Sequence, residues 1–256
     1  MSPTVIKVGG SVLRSAEAYA ALARKLATHI AQGPTWVVVS APLGVTERLL
    51  RLASRDDAAE EQALLREQAQ RSGTRSLHLA SILHRGLLEA RAGRPDALLA
   101  WGEQASAAAL ARLLADDGLD VPVVELSARA RPPPLDHAIV PGFFLRDRRG
   151  RARLLPRGGS DISALLLAHW LGAGTVRLWK DGGGIREGSV AVPRVTAASL
   201  RQRLGRTIHP LHPAALGIAQ RHGISLVLED PWGIHPSTVV DPGAGGRPKV
   251  GLQVAA

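Results

Sequence analysis

Short apolar runs that alternate with helical patterns are the feature that most constrains the fold of this chain. Residues 36–39 show no polar alternation, which is typical of a parallel strand covered on both faces. Residues 4–9 form a similar short strand that leads into a predicted helix at 16–32, and an apolar helix at 162–171 leads into a strand at 175–179. This order predicts an α/β fold, a three-layer αβα sandwich around a mainly parallel sheet.

The remaining patterns predict a block of helices in the first half of the chain and mixed elements in the last third. We expect helices at 46–53, 58–70, 76–92, 97–116, 197–204 and 213–222, strands at 121–125, 225–228 and 238–240, and a hairpin with arms at 139–145 and 152–155. No linker interrupts these elements, so we expect one domain over residues 1–256.

The composition excludes several classes of protein. With 256 residues, of which 45% are hydrophobic, the chain can bury a substantial core. No apolar run is long enough to span a bilayer, and the N-terminus lacks the order of a signal peptide, so we expect a cytoplasmic protein without a membrane partner. The absence of cysteine excludes disulfides, thiolate metal sites and a cysteine nucleophile.

The formal net charge of +10 does not by itself indicate a nucleic-acid partner. The arginines are scattered, apart from one cluster at 146–153, and the chain has only one tyrosine and two phenylalanines to stack on bases. We therefore favour the interpretation that these arginines lie on solvated faces of the protein over the interpretation that they bind a nucleic acid. An attraction for anionic nucleotides is compatible with this charge.

The first polar loop follows the strand at 4–9, and ligands of open parallel sheets gather at the carboxyl ends of the strands. Lys7 places a cation beside Gly9, Gly10 and Ser11, where a backbone without side chains can approach phosphate oxygens. The spacing is neither that of a Walker A loop nor that of Gly-x-Gly-x-x-Gly. For the loop alone, a lysine that reaches from a strand end to solvent is an equally good explanation.

The next two segments offer hydroxyl and carboxylate groups. Ser40 and Thr46 frame a loop after the second strand, although an ordinary turn with Thr46 as helix N-cap accounts for them as well. Glu103 and Ser106 lie three residues apart, on one face of a predicted helix. A carboxylate there can receive an ammonium group; a capping or surface role is the alternative.

The segment 157–161 gives the sharpest signal. Arg157 can bind a carboxylate through two parallel hydrogen bonds, and two glycines before a helix N-terminus make room for an anion. A plain N-cap at Ser160 or Asp161 would leave the arginine and the glycines unexplained.

A glycine-rich turn at 180–184 follows the strand at 175–179. Asp181 is available to hold Mg²⁺ or to orient a nucleotide, and Lys180 is available to balance phosphate charge. A surface turn is the competing interpretation.

Taken together and in this order, these segments resemble the aspartate kinases of the amino acid kinase family. The resemblance covers residues 7 to about 228. It rests on Lys-Val-Gly-Gly-Ser at 7–11, Val-Val-Ser-Ala-Pro-Leu-Gly-Val-Thr at 38–46, Gly-Glu-x-x-Ser at 102–106, Pro-Gly-Phe at 141–143 and Arg-Gly-Gly-Ser-Asp at 157–161.

The resemblance implies a kinase that uses ATP and Mg²⁺ to phosphorylate the carboxylate of a small amino acid, with L-aspartate converted to β-aspartyl phosphate. It implies a substrate-side N-terminal lobe and a nucleotide-side lobe from about residue 157. Catalytic roles then fall on Lys7, Asp161 and Asp181; substrate binding on Thr46, Glu103, Arg157 and Ser160; and nucleotide binding on Lys7, Gly9, Gly10, Ser11, Ser40, Lys180, Asp181, Arg186 and Arg206. Mg²⁺ would be held through the phosphates, with Asp181 a candidate ligand.

The chain also departs from the family pattern. Its glycine turn continues into Ile185, Arg186 and Glu187, where the family usually has an aromatic residue and Asp-Pro-Arg. The sequence stops near the end of the kinase domain, so we expect no regulatory domain and no feedback inhibition by lysine or threonine.

The resemblance further implies a homodimer. Two alternatives remain open at this point. The flanking segments have diverged, which allows a kinase for another small acid or a phosphonate. The altered glycine turn allows a non-catalytic homologue that only binds a nucleotide or another anion.

Overall fold

The computed structural model describes residues 2–55, 57–73, 76–156, 158–203 and 211–243. The strands are β1 (Thr4–Val8), β2 (Thr35–Val39), β3 (His137–Pro141), β4 (Phe144–Arg146), β5 (Ala152–Leu154), β6 (Thr175–Trp179), β7 (Arg186–Glu187), β8 (Val190–Ala191), β9 (Arg194–Thr196), β10 (Ser225–Glu229) and β11 (Thr238–Asp241). The helices are α1 (Ala16–Gln32), α2 (Val45–Ser54), α3 (Ala58–Ser72), α4 (Leu77–Arg91), α5 (Asp96–Leu99), α6 (Trp101–Asp116), α7 (Gly159–Leu171), α8 (Ala197–Arg203) and α9 (Pro213–His222).

Within these residues, seven strands form a central sheet in the order β3-β2-β1-β6-β10-β11-β9. The first five strands are parallel, and β11 runs antiparallel to β10. The pairs β4–β5 and β7–β8 form separate hairpins. The mainly parallel sheet, with helices packed around it, confirms the predicted fold class.

Side-chain alternation along the strands divides the core between the two faces of the sheet. Val5 of β1 packs in a cluster with α7, α8 and α9, whereas Ile6 and Val8 pack with α1 and α6. A third apolar cluster fills the block formed by α2 to α6. Because Lys7 alternates with Ile6 and Val8, it lies on the face of the sheet that α7 covers.

Most predicted elements are confirmed within a few residues, but the strand at 121–125 is wrong. There the chain makes one isolated parallel bridge, between Val123 and Ile139. The Ile139 N–H donates to the Pro122 carbonyl at 2.9 Å, and the Val124 N–H donates to the Ile139 carbonyl at 2.8 Å. Pro122 has no N–H to donate, which interrupts a longer ladder.

The predicted hairpin is correct only in part. Its first arm is divided, since residues up to Pro141 belong to β3 in the central sheet and only Phe144–Arg146 pairs with β5. The predicted helix at 97–116 is likewise divided into α5 and α6. The strands β7, β8 and β9 were not predicted, because two or three residues carry no periodic pattern.

The described part of the chain contains no helix that is both long and apolar enough to cross a bilayer.

The burial of α7 gives a stability prediction. Leu165 is fully buried in this helix, whereas Leu88 of α4 is 52% exposed. Leu165→Ala should lower the free energy of unfolding by about 2–5 kcal/mol, and Leu88→Ala by about 0.5 kcal/mol or less. Urea denaturation of both variants checks this, and equal losses would contradict the central position of α7.

Candidate active site

The order of the strands brings three polar loops together at one edge of the sheet. The strand β1 pairs with both β2 and β6, so the loops that begin at Gly9, Ser40 and Lys180 are neighbours. The Ser40 N–H donates to the Val8 carbonyl at 3.1 Å, and the Gly9 N–H donates to the Trp179 carbonyl at 2.9 Å. These loops lie at the carboxyl ends of the parallel strands, where ligands bind in open α/β sheets.

A buried cluster of two lysines and one aspartate lies at this edge. Asp161, in the first turn of α7, forms an ion pair with Lys7, whose Nζ lies 2.9 Å from Oδ1, and accepts a hydrogen bond from Lys180 Nζ at 3.0 Å on Oδ2. The three side chains are between 7% and 13% exposed. The cluster therefore fixes a net positive charge beside the N-terminus of α7, whose free N–H groups also favour anions.

The two lysines control the ionisation of Asp161. Burial alone would raise the pKa of this carboxyl, but the charges and hydrogen bonds of Lys7 and Lys180 outweigh burial and lower the pKa to about 2. Burial lowers the pKa of Lys180. The negative charge of Asp161 raises this pKa, and the positive charge of Lys7 lowers it further. Asp161 is thus ionised at neutral pH and serves as a counterion rather than as a proton acceptor.

The same edge of the sheet opens into a cleft of about 590 Å³, which we call the active-site cleft. It brings together six of the residues that the sequence predicted for the site: Lys7, Ser40, Thr46, Glu103, Ser160 and Asp161. Gly158 and Gly159, which the sequence predicted to make room for an anion, also line the cleft. Sequence reasoning assigned no role to the other lining residues, which are Glu47, Leu50, Phe143, Leu154 and Leu155.

Glu103 is the buried acid of the cleft. It is 3% exposed, and its Oε2 makes no hydrogen bond among the described residues. Burial raises its pKa to about 8, although a backbone hydrogen bond from Ala41 and the charge of Lys7 act in the opposite direction. Ser106, on the same helix, is instead hydrogen-bonded to the Tyr19 hydroxyl at 3.0 Å and belongs to the core.

Phe143 is the lining residue that a sequence signal could have identified. It belongs to the Pro-Gly-Phe match and has a φ of 70°, which is rare for a residue with a side chain. Its N–H donates to Ser163 Oγ at 3.1 Å, and its carbonyl accepts the Leu155 N–H at 2.7 Å. The ring lies so close to Gly159 that a Cβ there would be 2.6 Å from Cδ2. Glycine at this position lets α7 approach the loop.

Ser11 and Asp181 form a second polar group, at the ends of the neighbouring strands β1 and β6. The Asp181 N–H donates to Ser11 Oγ at 3.1 Å, and Asp181 Oδ2 lies 3.3 Å from Arg14 Nη1. The side chains of Asp181 and Arg14 are 44% and 58% exposed, so this group is open to solvent.

Gly9 and Gly10 are required by the packing of the loops on one another. A Cβ at Gly10 would lie 2.3 Å from the Ala41 carbonyl oxygen, and one at Gly9 would lie 2.9 Å from that of Trp179. Backbone in these positions cannot move aside easily. Their contact with phosphate stays a prediction.

Among the described residues, the predicted Arg186 is not part of this arrangement. Arg186 lies in the β7–β8 hairpin, where it donates to the Ser189 carbonyl. Arg157 and Arg206 lie outside the described residues.

Comparison with known proteins identifies the family. The model of the amino acid kinase family matches residues 2–230. This chain belongs to the amino acid kinase family. The family predicted from the ordered loop motifs is therefore confirmed.

Individual relatives within this family include aspartate kinases. Lysine-sensitive aspartokinase 3 of Escherichia coli is 40% identical over 81 residues, which are 31% of this chain and 17% of that protein. The structure of E. coli aspartokinase III in complex with aspartate and ADP matches with a TM-score of 0.77 at 21% identity, covering 93% of this chain and 64% of that one. The chain thus spans less than two thirds of the length of either.

A different kinase shares the fold. The structure of UMP kinase from Ureaplasma parvum matches with a TM-score of 0.51 at 14% identity, covering 94% of this chain and 99% of that one. These structural matches, at 21% and 14% identity, show the fold alone.

The raised pKa of Glu103 gives a pH-dependent stability prediction. Between pH 4.5 and about 8 the folded chain keeps a proton on Glu103 that the unfolded chain loses, so this group lowers the free energy of unfolding as pH rises. Glu103→Gln removes that contribution. The stability of the variant relative to wild type should therefore increase with pH across this window, in urea denaturation at pH 5, 7 and 8.5.

The matched control for this experiment is Glu17→Gln, which replaces an exposed acid on α1. It should follow the wild-type pH profile closely. Parallel profiles for wild type and Glu103→Gln would show that the pKa of Glu103 is not raised.

Proposed function

We propose that this chain transfers the γ-phosphoryl group of ATP to the β-carboxylate of L-aspartate, forming β-aspartyl phosphate. One observation carries the proposal: Glu103, whose buried Oε2 has no hydrogen-bond partner among the described residues, lines the same cleft as Lys7 and Asp161, which form the buried cluster together with Lys180. The carboxyl group of Glu103 suits an ammonium group, and the cluster with the two lysines suits a phosphoryl group. Membership of the amino acid kinase family and the aspartokinase relatives support it.

In this proposal Glu103 binds the α-ammonium group of the substrate. A buried carboxyl group with a free oxygen is costly unless a partner arrives. The substrate ammonium would supply that partner, lower the pKa of Glu103 and hold it ionised. The hydroxyls of Thr46 and Ser160 line the same cleft, and Arg157, next to Gly158 in sequence, is proposed to bind the α-carboxylate.

The transfer step needs no protein nucleophile. An oxygen of the β-carboxylate attacks the γ-phosphorus, and the bond from phosphorus to the β,γ-bridging oxygen breaks, so that ADP leaves with the electron pair. The attacking carboxylate is already ionised and loses no proton. Lys7 and Lys180 neutralise the charge on the phosphoryl oxygens, and Asp161 holds both ammonium groups in place before the substrates bind.

The nucleotide is proposed to bind on the side of Ser11 and Asp181, with residues from about 157 onward forming the nucleotide-side lobe. The described residues contain no group of three or more His, Asp or Glu side chains that could cage a metal ion. This fits an Mg²⁺ ion that keeps phosphate and water ligands, with Asp181 as the proposed carboxylate ligand. When bound, Mg²⁺ would neutralise charge on the β- and γ-phosphates.

The buried acid of the cleft favours an amino acid over a nucleotide as the acceptor. UMP carries no ammonium group that could pair with Glu103 Oε2, which has no hydrogen-bond partner among the described residues. An amino acid brings an ammonium group instead. Kinases of other small acids would need the same ammonium group to satisfy Glu103.

The first functional test traps the acyl phosphate. Wild-type protein with Mg²⁺-ATP, L-aspartate and hydroxylamine should form aspartate hydroxamate together with ADP. Glu103→Gln should lower kcat/KM for aspartate about 10- to 100-fold, because a neutral amide cannot balance the substrate ammonium. The control Glu17→Gln should retain wild-type activity. ADP formation with UMP but not with aspartate would refute the proposed substrate, and no ATP binding would indicate a non-catalytic homologue.

A second test concerns Lys180. Lys180→Met removes one of the two charges beside the transferred group and should lower kcat about 100-fold or more while KM for aspartate changes less than about threefold. Lys25→Met on α1 is the matched control and should behave as wild type. An unchanged kcat would show that Lys180 acts only as a structural partner of Asp161.

A further inference from the structure

A second cavity lies between α4, α5, α6 and the β4–β5 hairpin, and we call it the hairpin cavity. Its volume of about 600 Å³ is close to that of the active-site cleft and falls in the usual range for small-molecule sites. The two cavities share no lining residue. The hairpin cavity is lined by His78, Ile82, Arg85, Gly86, Glu89, Ala97, Gln104, Val123, Glu125, Arg146, Gly150, Arg151 and Ala152.

Unpaired positive charge is the main chemical feature of this cavity. The guanidinium groups of Arg85 and Arg151 make no hydrogen bond or ion pair within the described part of the chain. The third arginine, Arg146, is already paired, since its Nε lies 2.5 Å from Glu125 Oε2. The other oxygen of Glu125 accepts Gln104 Nε2 at 2.7 Å. Glu125 is therefore already paired with Arg146, and neither Arg85 nor Arg151 forms an ion pair with it in the described part of the chain.

Gln104 provides an independent indication of a ligand. It is 8% exposed, and its Oε1 has no hydrogen-bond partner among the described residues. Its amide nitrogen is fixed by Glu125, so the oxygen cannot find a partner by rotation of the amide. A buried polar atom left in this state is uncommon, and a bound hydroxyl or amino group would satisfy it.

The surroundings reinforce the preference for an anion. Arg148 and Arg149 are exposed at the tip of the hairpin, next in sequence to the lining residues Gly150 and Arg151. They add to the positive potential at the mouth of the cavity. Among the described residues, Glu89 is the lining acid that forms no ion pair. Even with the charge of Glu89 included, the lining carries an excess of positive charge.

We infer that the hairpin cavity binds a small metabolite with two anionic groups, carboxylates or phosphates, one for Arg85 and one for Arg151. Each planar guanidinium can hold an anionic group through two parallel hydrogen bonds. A hydroxyl or amino group of the same ligand would donate to Gln104 Oε1.

The position of the cavity links it to the elements that shape the active-site cleft. On α6, Glu103 faces the cleft and the next residue, Gln104, lines the hairpin cavity. On β5, Ala152 lines the hairpin cavity and Leu154 lines the cleft. A ligand in the hairpin cavity would therefore contact the same helix and strand as a ligand in the cleft.

The test is binding of two probes, succinate and inorganic phosphate, measured by isothermal titration calorimetry on the full chain. Titrations with sodium chloride at equal ionic strength correct for screening. Arg85→Gln and Arg151→Gln should each weaken probe binding about tenfold or more, because each removes one charged partner. The control Arg148→Gln removes a charge of the same hairpin that does not line the cavity, and it should weaken binding far less than either lining variant, because it removes only an exposed, screened charge.

The outcomes separate the ligand classes and the site. Tighter succinate binding would assign the cavity to a dicarboxylate, and tighter phosphate binding would assign it to a phosphorylated metabolite. Equal affinities in all four proteins would place the probes elsewhere, for example in the active-site cleft, and would overturn the inference. Absence of binding beyond the chloride control in wild type would overturn it as well.

Discussion

The ion pairs of Asp161 with Lys7 and Lys180 are the interaction on which the active-site cleft depends. Three buried charges are stable only when each has a close partner, because desolvation opposes every one of them. Asp161 satisfies both lysines at 2.9 and 3.0 Å and stays ionised because of them. The result is a preorganised positive site, which suits the phosphoryl group that we propose it receives.

The fold supplies this geometry through the sheet and one buried helix. Lys7 lies on β1 and Lys180 follows the neighbouring strand β6. The helix α7 is buried from Gly159 to Ala168, which fixes the direction of its N-terminus and of Asp161 in its first turn. The packing of this apolar helix therefore holds the acid that positions Lys7 and Lys180.

The helix α6 positions Glu103, the buried acid of the cleft, much as α7 positions Asp161. Its first turn buries Glu103, and this burial raises the pKa of the acid, whose Oε2 has no hydrogen-bond partner among the described residues. The adjacent Gln104 lines the hairpin cavity, and its Oε1 likewise lacks a partner within the described part of the chain. Two successive residues of α6 thus line two different cavities, and both carry a buried polar atom that a ligand could satisfy.

The sequence by itself determined the helices, the main strands, the family and most of the residues that line the cleft. Local periodicity and ordered loop motifs carry that information, as with α1 and the segment before α7. It could not show that Lys180 pairs with Asp161, that Ser106 belongs to the core, or that Gly9 and Gly10 pack against backbone. Only the tertiary structure decided these points, together with the burial of Glu103 and the existence of the hairpin cavity. The reason is physical: contacts among residues 7, 103, 161 and 180 depend on strand order and helix packing, which no local pattern specifies.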